Sequence, residues 1–441
     1  MLKNIHVTTG IAGLQWLFYI FTNTVVVPLS IGHAFQLPMT EIAGALQRSF
    51  ILTGILCVLQ AWIGHRYAVM DGASGVWWGL TLNLCASASA AGMSLSEVGG
   101  GLASGFLLSS LLMIVLGLLG FGSVLQRMFT PVVKGVFLLL LTIQLTMNFF
   151  KGMLGVTAGE TVQLPVAALS IGLALLTALL HLKGRGLISN FSILIGIIAG
   201  WLAYRLLFPH IEPVETSAGA LVTLFPWGTP NLQVGIILTA CFVGLINMTN
   251  TVTCLSSVEK LYKTQTTEGQ YKRSYVLTGL FSVFSSLFGL LPFGVFTSSI
   301  GFLESTRILR RSAMIIGAGL IAVLGLVPAA SRLLSTLPPT VGNAVLFVAY
   351  LQMFGTALRS FQTTELNSKT VYRVAAPVLL GISIMNIPPQ AFAGLPLFIS
   401  PLVSNGLVMG VLLALVLEIG VNWGKLSVSP PQSQDGETYQ S

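Results

Sequence analysis

Apolar windows of about 20 residues recur from Ile11 almost to Trp423, and in hydrocarbon such segments must satisfy their own backbone groups. Helices do so automatically. Only 8% of the residues are charged, where soluble domains carry about 25%, so the chain is solvated chiefly by lipid. The first apolar run is too long for the h-region of a secretory signal, and no small-residue cleavage site follows it. The net charge of +8 comes from Lys and Arg placed singly or in pairs between apolar runs. They form no basic face, which excludes nucleic acid as a partner. Cys57, Cys85, Cys241 and Cys254 all lie inside apolar runs without CxxC spacing. Burial is expected of them rather than disulfide or metal chemistry, and no cofactor is implied.

The pattern predicts an all-α polytopic membrane protein of about fourteen spans. The first seven cover 11–31, 42–64, 72–90, 99–121, 131–150, 164–182 and 187–208. The second seven cover 232–257, 274–291, 293–306, 312–334, 341–358, 371–387 and 400–423. With the N-terminus inside, 17 of the Lys and Arg residues fall in inner segments, and only Arg48, Lys151, Arg205 and Arg332 fall outside. That bias places both termini in the cytoplasm. The longest outer loop runs from Pro209 to Pro230. Residues 1–426 read as one membrane domain, and the polar tail 427–441 as a disordered cytoplasmic extension.

One span is broken. Leu290–Arg307 reads LLPFGVFTSSIGFLESTR, and Pro292, Gly294 and the run Thr297, Ser298, Ser299 interrupt it after a few apolar residues. A helix does not run smoothly through Pro and Gly, and the freed backbone groups need cover from protein or a water-filled cavity. The expectation is a short extended piece followed by a half-helix starting near Ser298. A plain kinked helix is the alternative.

An internal repeat decides between them. Thr22-Asn23-Thr24-Val25 in span one recurs as Thr249-Asn250-Thr251-Val252 in span eight. Pro131 and Gln144 recur, at the same spacing, as Pro339 and Gln352. The repeat unit is therefore seven spans, and an odd number inserts the two halves in opposite orientations. Span three, with Met70-Asp71-Gly72-Ala73-Ser74-Gly75, becomes the broken partner of span ten.

Polar residues inside the apolar runs mark an inward face. On span eight Asn247, Asn250, Thr251 and Cys254 share one helical face, and on span one Gln15, Tyr19, Thr22 and Asn23 do likewise. Interhelical hydrogen bonding and ligand binding are both open to them. A carboxamide offers a donor beside an acceptor, which suits a planar uncharged ligand carrying N–H and C=O groups. Asp71 opens span three, either as an N-cap or as a proton carrier. Glu304 is expected to pair with Arg307, and Glu418 to snorkel to the interface. The five histidines sit near span ends, where none reads as a proton relay. Trp77, Trp78, Phe293 and Phe296 suit either packing or stacking on a flat heterocycle.

From Gly13-Leu14-Gln15 to the last span the chain resembles the nucleobase–ascorbate transporter family, the xanthine/uracil permeases. The most specific piece is the family's span-ten signature, which here reads Ser298-Ser299-Ile300-Gly301, four residues, then Thr306-Arg307. Gly301, Thr306 and Arg307 fit; the two leading positions depart from the pattern. Span one reads Gln15-Trp16 where the family usually has Gln-His, and Asn247 and Thr251 stand where members carry a substrate-gripping Glu and, in some, a His.

The resemblance implies a seven-plus-seven inverted repeat with strand plus half-helix at spans three and ten. It implies a core of spans one to four and eight to eleven (about 11–121 and 232–334) and a gate of the rest (about 131–208 and 341–423). Asn247, Ser298 and Ser299, with backbone around Ser74, Gly75 and Thr297, would hold the substrate, with Asn250 and Thr251 beside them and Gln15 and Asn23 lining it. The implied protein is a secondary-active nucleobase permease of the plasma membrane, working by alternating access, with purines favoured over uracil. Its partners would be the base, the bilayer and a second copy meeting it through the gate spans. Both usual acidic positions are neutral, so proton symport would fall to Asp71 or transport would run uncoupled. An anion carrier of the same fold would need a fixed cation, and no Lys or Arg is read at mid-span. An enzyme would need a nucleophile with a base or a metal cluster, and no HExxH or paired carboxylates occur.

Overall fold

A computed structural model of the chain describes residues 7–88, 92–156, 161–185, 187–208, 221–362, 364, 367–392, 394–396 and 399–423. The expected tail at 427–441 lies outside them. The first elements are α1 (Val7–Ala34), α2 (Met39–Trp62), β1 (Asp71–Ala73), α3 (Gly75–Ser87), α4 (Leu95–Leu118) and α5 (Gly122–Met128). Then come α6 (Pro131–Met153), α7 (Leu164–Lys183), α8 (Leu187–Asn190) and α9 (Ser192–Leu207). The order of the opening elements returns as α10 (Val234–Tyr262), α11 (Glu268–Leu287), β2 (Phe293–Val295), α12 (Ser298–Thr306) and α13 (Arg311–Gly325). The chain closes with α14 (Pro328–Ser335), α15 (Pro339–Phe361), α16 (Ser368–Asn386), α17 (Ser400–Val403) and α18 (Gly406–Gly420).

The caps are legible locally. Ser94 with Glu97 closes a capping box on α4, and Thr267 with Gln270 closes one on α11. Thr130 caps α6 ahead of Pro131, while Asn367 and Asn405 cap α16 and α18. Among the described residues, α1, α2, α4, α6, α7, α10 and α15 are each long and apolar enough to cross a membrane. The predicted span at 312–334 is not one rod, because α13 and α14 meet at 83°. Val327, just before Pro328, takes φ −98° and ψ 100°, the extended conformation that a following proline imposes. The span predicted at 400–423 is likewise two helices, with Asn405 starting the second.

Packing sorts the helices into two groups. Helix α13 lies against α1 and α2, and α4 against α10 and α11, and the two strands join these sets. Helix α15 lies against α6, α7 and α9, and α18 against α6 and α16. Between the groups the contacts are slighter, chiefly α3 on α6 and α10 on α5 and α17.

The segment 221–231 is fastened across the first group. Trp227 stacks on Phe35 at 4.9 Å and meets Phe106 edge-on, while Phe225 N–H donates to Leu287 O. Arg48 pairs with Glu41 and donates to Thr223 Oγ1, which in turn donates to Glu41 Oε2 at 3.2 Å. Arg48, counted on the outer side in the charge pattern of span two, lies buried within α2. A cation does therefore sit inside an apolar run here, and its carboxylate seven residues earlier on the same helix neutralises it.

At Gly228 the chain turns with φ +144°, and a Cβ there would sit 2.1 Å from Ser96 O. Gly228→Ala is expected to lower stability by about 2 kcal/mol or more through backbone strain and overpacking. Thermal melting of the purified protein checks this; an unchanged melting temperature would show that the segment shifts freely.

Candidate functional site

Strands β1 and β2 pair antiparallel, with Asp71 opposite Val295, Gly72 opposite Gly294 and Ala73 opposite Phe293. Each strand runs straight into the first turn of a helix, α3 after Ser74 and α12 after Thr297. Both broken segments are thus a strand plus a half-helix, and neither is a kinked rod. Three residue pairs leave many backbone groups to be satisfied from outside the ladder, and side chains supply the partners. Ser282 Oγ accepts from Phe293 N–H at 2.9 Å, Ser299 Oγ accepts from Met70 N–H at 3.1 Å, and Cys57 Sγ donates to Asp71 O at 3.1 Å. Cys254 Sγ approaches Phe296 O at 3.7 Å, and all four cysteines are free thiols.

Asn247 of α10 lies against this crossing. Its Nδ2 donates to Phe293 O at 2.9 Å, and its side chain is 1% exposed. Among the described residues its Oδ1 has no hydrogen-bond partner, and neither does the buried Thr251 Oγ1 one turn further on. Gly294 faces the same amide: a Cβ there would be 2.6 Å from Asn247 Oδ1 and 3.0 Å from the Ser74 Cβ. Unsatisfied buried acceptors cost about 1–3 kcal/mol each, so these two are suited to an incoming donor.

Tyr19 of α1 reaches the start of α12, with its hydroxyl 2.8 Å from Ser298 Oγ and 3.4 Å from Ser299 Oγ. Ser299 is buried and Ser298 exposed. Asn23 bonds back to Tyr19 O within its own helix, and Gln15 and Asn250 are half-buried. Ser74 is buried at the α3 N-cap, and Gly75 follows it against the Tyr350 hydroxyl of α15. The structure therefore gathers Asn247, Thr251, Ser74, Gly75, Thr297, Ser298 and Ser299 around the crossing. Asn23 and Gln15 continue one face of α1 away from Tyr19 in opposite directions.

Several expectations are corrected. Asp71 is the first residue of β1 and caps no helix; Ser74 takes that place. His65 is fully buried and its Nε2 is 3.3 Å from Asp71 Oδ2, so a histidine near a span end does meet the carboxylate. His65 Nδ1 accepts from Tyr67 N–H, which leaves Nε2 as the donor. Thr278 Oγ1 donates to Asp71 Oδ1 at 3.1 Å, and Gln60 Nε2 stands 3.4 Å from the same oxygen. Glu304 and Arg307 form no ion pair among the described residues; Arg307 ends α12 in a left-handed turn at φ +57°. Glu418 is held by Arg373 of α16 at 3.1 and 2.5 Å rather than reaching for the interface alone. Trp77 packs edge-on against Phe106, and Trp78 donates to Ser30 Oγ at 2.7 Å. Gly301 faces open space, while Thr306 Oγ1 closes the end of α12 on Phe302 O.

A family model described as a permease family, that of xanthine/uracil permeases, matches residues 8–390. The chain belongs to that family. It is 30% identical to YwdJ of Bacillus subtilis strain 168, named provisionally as a purine permease, over 92% of this chain and 94% of that protein. It is 25% identical to the xanthine permease of the same organism, over 93% of each chain. Among solved structures, the transmembrane domain of the cyanobacterial bicarbonate transporter BicA aligns with a TM-score of 0.60 at 16% identity. That alignment covers 93% of this chain and 98% of that one. The murine anion transporter Slc26a9, in its inward-facing state, gives 0.66 at 14% identity over 95% of this chain and 69% of its own. At such identities the structural likeness concerns the fold. This permease is a multi-pass membrane transporter and not an enzyme.

Proposed function

We propose that this permease carries nucleobases, purines ahead of uracil, across the plasma membrane by alternating access. The observation that carries the reading is the Asn247 amide, tied through Nδ2 to the strand crossing and leaving a buried acceptor beside the equally unpartnered Thr251 hydroxyl. A base with ring N–H groups meets that need without bringing charge, and the names of the relatives point to the same substrates. The two helix groups act as core and gate within an inverted seven-plus-seven repeat, with both termini cytoplasmic. The recurring order of helices and strands supports that plan. An anion carrier would need a cation at the crossing, and the residues gathered around Asn247 are neutral, with the Asp71 carboxyl in the adjoining strand.

Uptake of labelled xanthine, hypoxanthine, guanine and uracil, in cells lacking their own permeases, tests the reading. Uptake of none of the four would overturn it. Asn247→Ala is expected to raise KM at least about tenfold, the effect of losing one buried hydrogen bond, with surface expression retained. Unchanged KM would remove Asn247 from the site. Asp71 with His65 is the coupling group, so a protonophore is expected to abolish accumulation. Accumulation that is absent from the start, with equilibration intact, would instead mark an uncoupled facilitator.

A further inference from the structure

Gln144 lies on α6, in the second helix group, and is 5% exposed. Among the described residues neither its Nε2 nor its Oε1 has a hydrogen-bond partner. A buried primary amide with both ends unpaired is costly, which suits it to a ligand that supplies the partners. What it faces is the half-helix that leaves the strand crossing. A Cβ on Gly79 of α3 would stand 3.2 Å from Gln144 Oε1. One turn earlier, a Cβ on Gly75 would stand 3.0 Å from the Tyr350 hydroxyl. The absence of side chains at 75 and 79 lets the two groups close on each other here, with Trp78 packed on Phe149 at 5.1 Å beside them.

We infer that Gln144 is the second group's specificity-determining residue, reading the lactam edge of a planar heterocycle held between the two groups. This rests on the nucleobase reading above. A lactam presents a ring N–H next to a C=O, and a carboxamide answers both at once, Oε1 accepting from the N–H and Nε2 donating to the C=O. Asn247 would then act from the crossing and Gln144 from the opposite wall. A site built to hydrogen-bond a group discriminates strongly against the analogue that lacks it.

The test compares hypoxanthine, which has a lactam edge, with unsubstituted purine, which has none, as competitors of uptake. Wild-type protein is expected to favour hypoxanthine. Gln144→Met, similar in length but without donor or acceptor, is expected to shrink that preference at least about tenfold. Its melting temperature without substrate should equal or exceed the wild type's, because an unpaired amide has been removed. Gln144→Glu, which keeps an acceptor but loses the paired donor, should also lose the preference. An unchanged hypoxanthine-to-purine ratio in both variants overturns the inference. So does a Gln144→Met protein that melts lower or does not fold, since the amide would then be structural. Failure of the wild type to carry any nucleobase shows before any variant is made, and it removes the substrate reading itself.

Discussion

Asp71→Leu is expected to melt far below the wild type or to fail to fold. The carboxylate is fully buried and is approached by His65 Nε2, Thr278 Oγ1 and Gln60 Nε2, from the turn after α2, from α11 and from α2 itself. Leucine fills the volume but leaves the His65 Nε2–H and the Thr278 hydroxyl proton without their acceptor, while Gln60 Nε2 keeps Ser274 O and Thr278 Oγ1. Removing one partner of a buried charged network costs about 3–5 kcal/mol, a large share of a typical stability. Asp71→Asn should lose less: its Oδ1 still accepts from Thr278, but its NH2 opposes the His65 N–H. Relief would require the imidazole to move its proton to Nδ1 and give up Tyr67 N–H. Melting in detergent, followed by loss of the monodisperse peak, reads the order wild type, Asn, Leu. Wild-type melting for Asp71→Leu would mean that the cluster does not hold β1 in place.

The second large effect is expected on transport. Gly294→Ala should cut the initial uptake rate about 100-fold at equal surface expression, since overpacking a tight site costs about 1–3 kcal/mol and tenfold corresponds to 1.4. The added methyl would press on Asn247 Oδ1 at 2.6 Å and on Ser74 Cβ at 3.0 Å, and both belong to the crossing. Gly72 sits opposite it in the ladder, but there the nearest atom is the mobile end of Met70, at 2.8 Å. Gly72→Ala should therefore be the milder change. Equal uptake by Gly294→Ala and the wild type would show that the crossing tolerates a wider spacing than its geometry indicates.

The broken segments could be read before any coordinates because Pro292, Gly294 and the serines interrupt an apolar run that otherwise has no reason to stop. Other features also leave a signal in the sequence. Glu41 and Arg48 are seven residues apart, close to two helical turns, so one face could have been expected to hold both charges. The Val327-Pro328 pair likewise forecast the sharp bend in a window that stays apolar on both sides. The Asp71 cluster had no local signal, because Thr278 is 207 residues away and only tertiary packing brings it close. Gln144 was visible as a repeat position, yet its lack of partners is a property of its surroundings and not of its spacing. The signature Gly301 shows the converse, since nothing within the chain crowds it.

The segment 221–231 is fastened to α1, α2, α4 and α11, all of the first helix group, so in any movement of one group past the other it would stay with the first. The two groups themselves meet where α3 lies on α6 and where Gly75 faces the Tyr350 hydroxyl of α15.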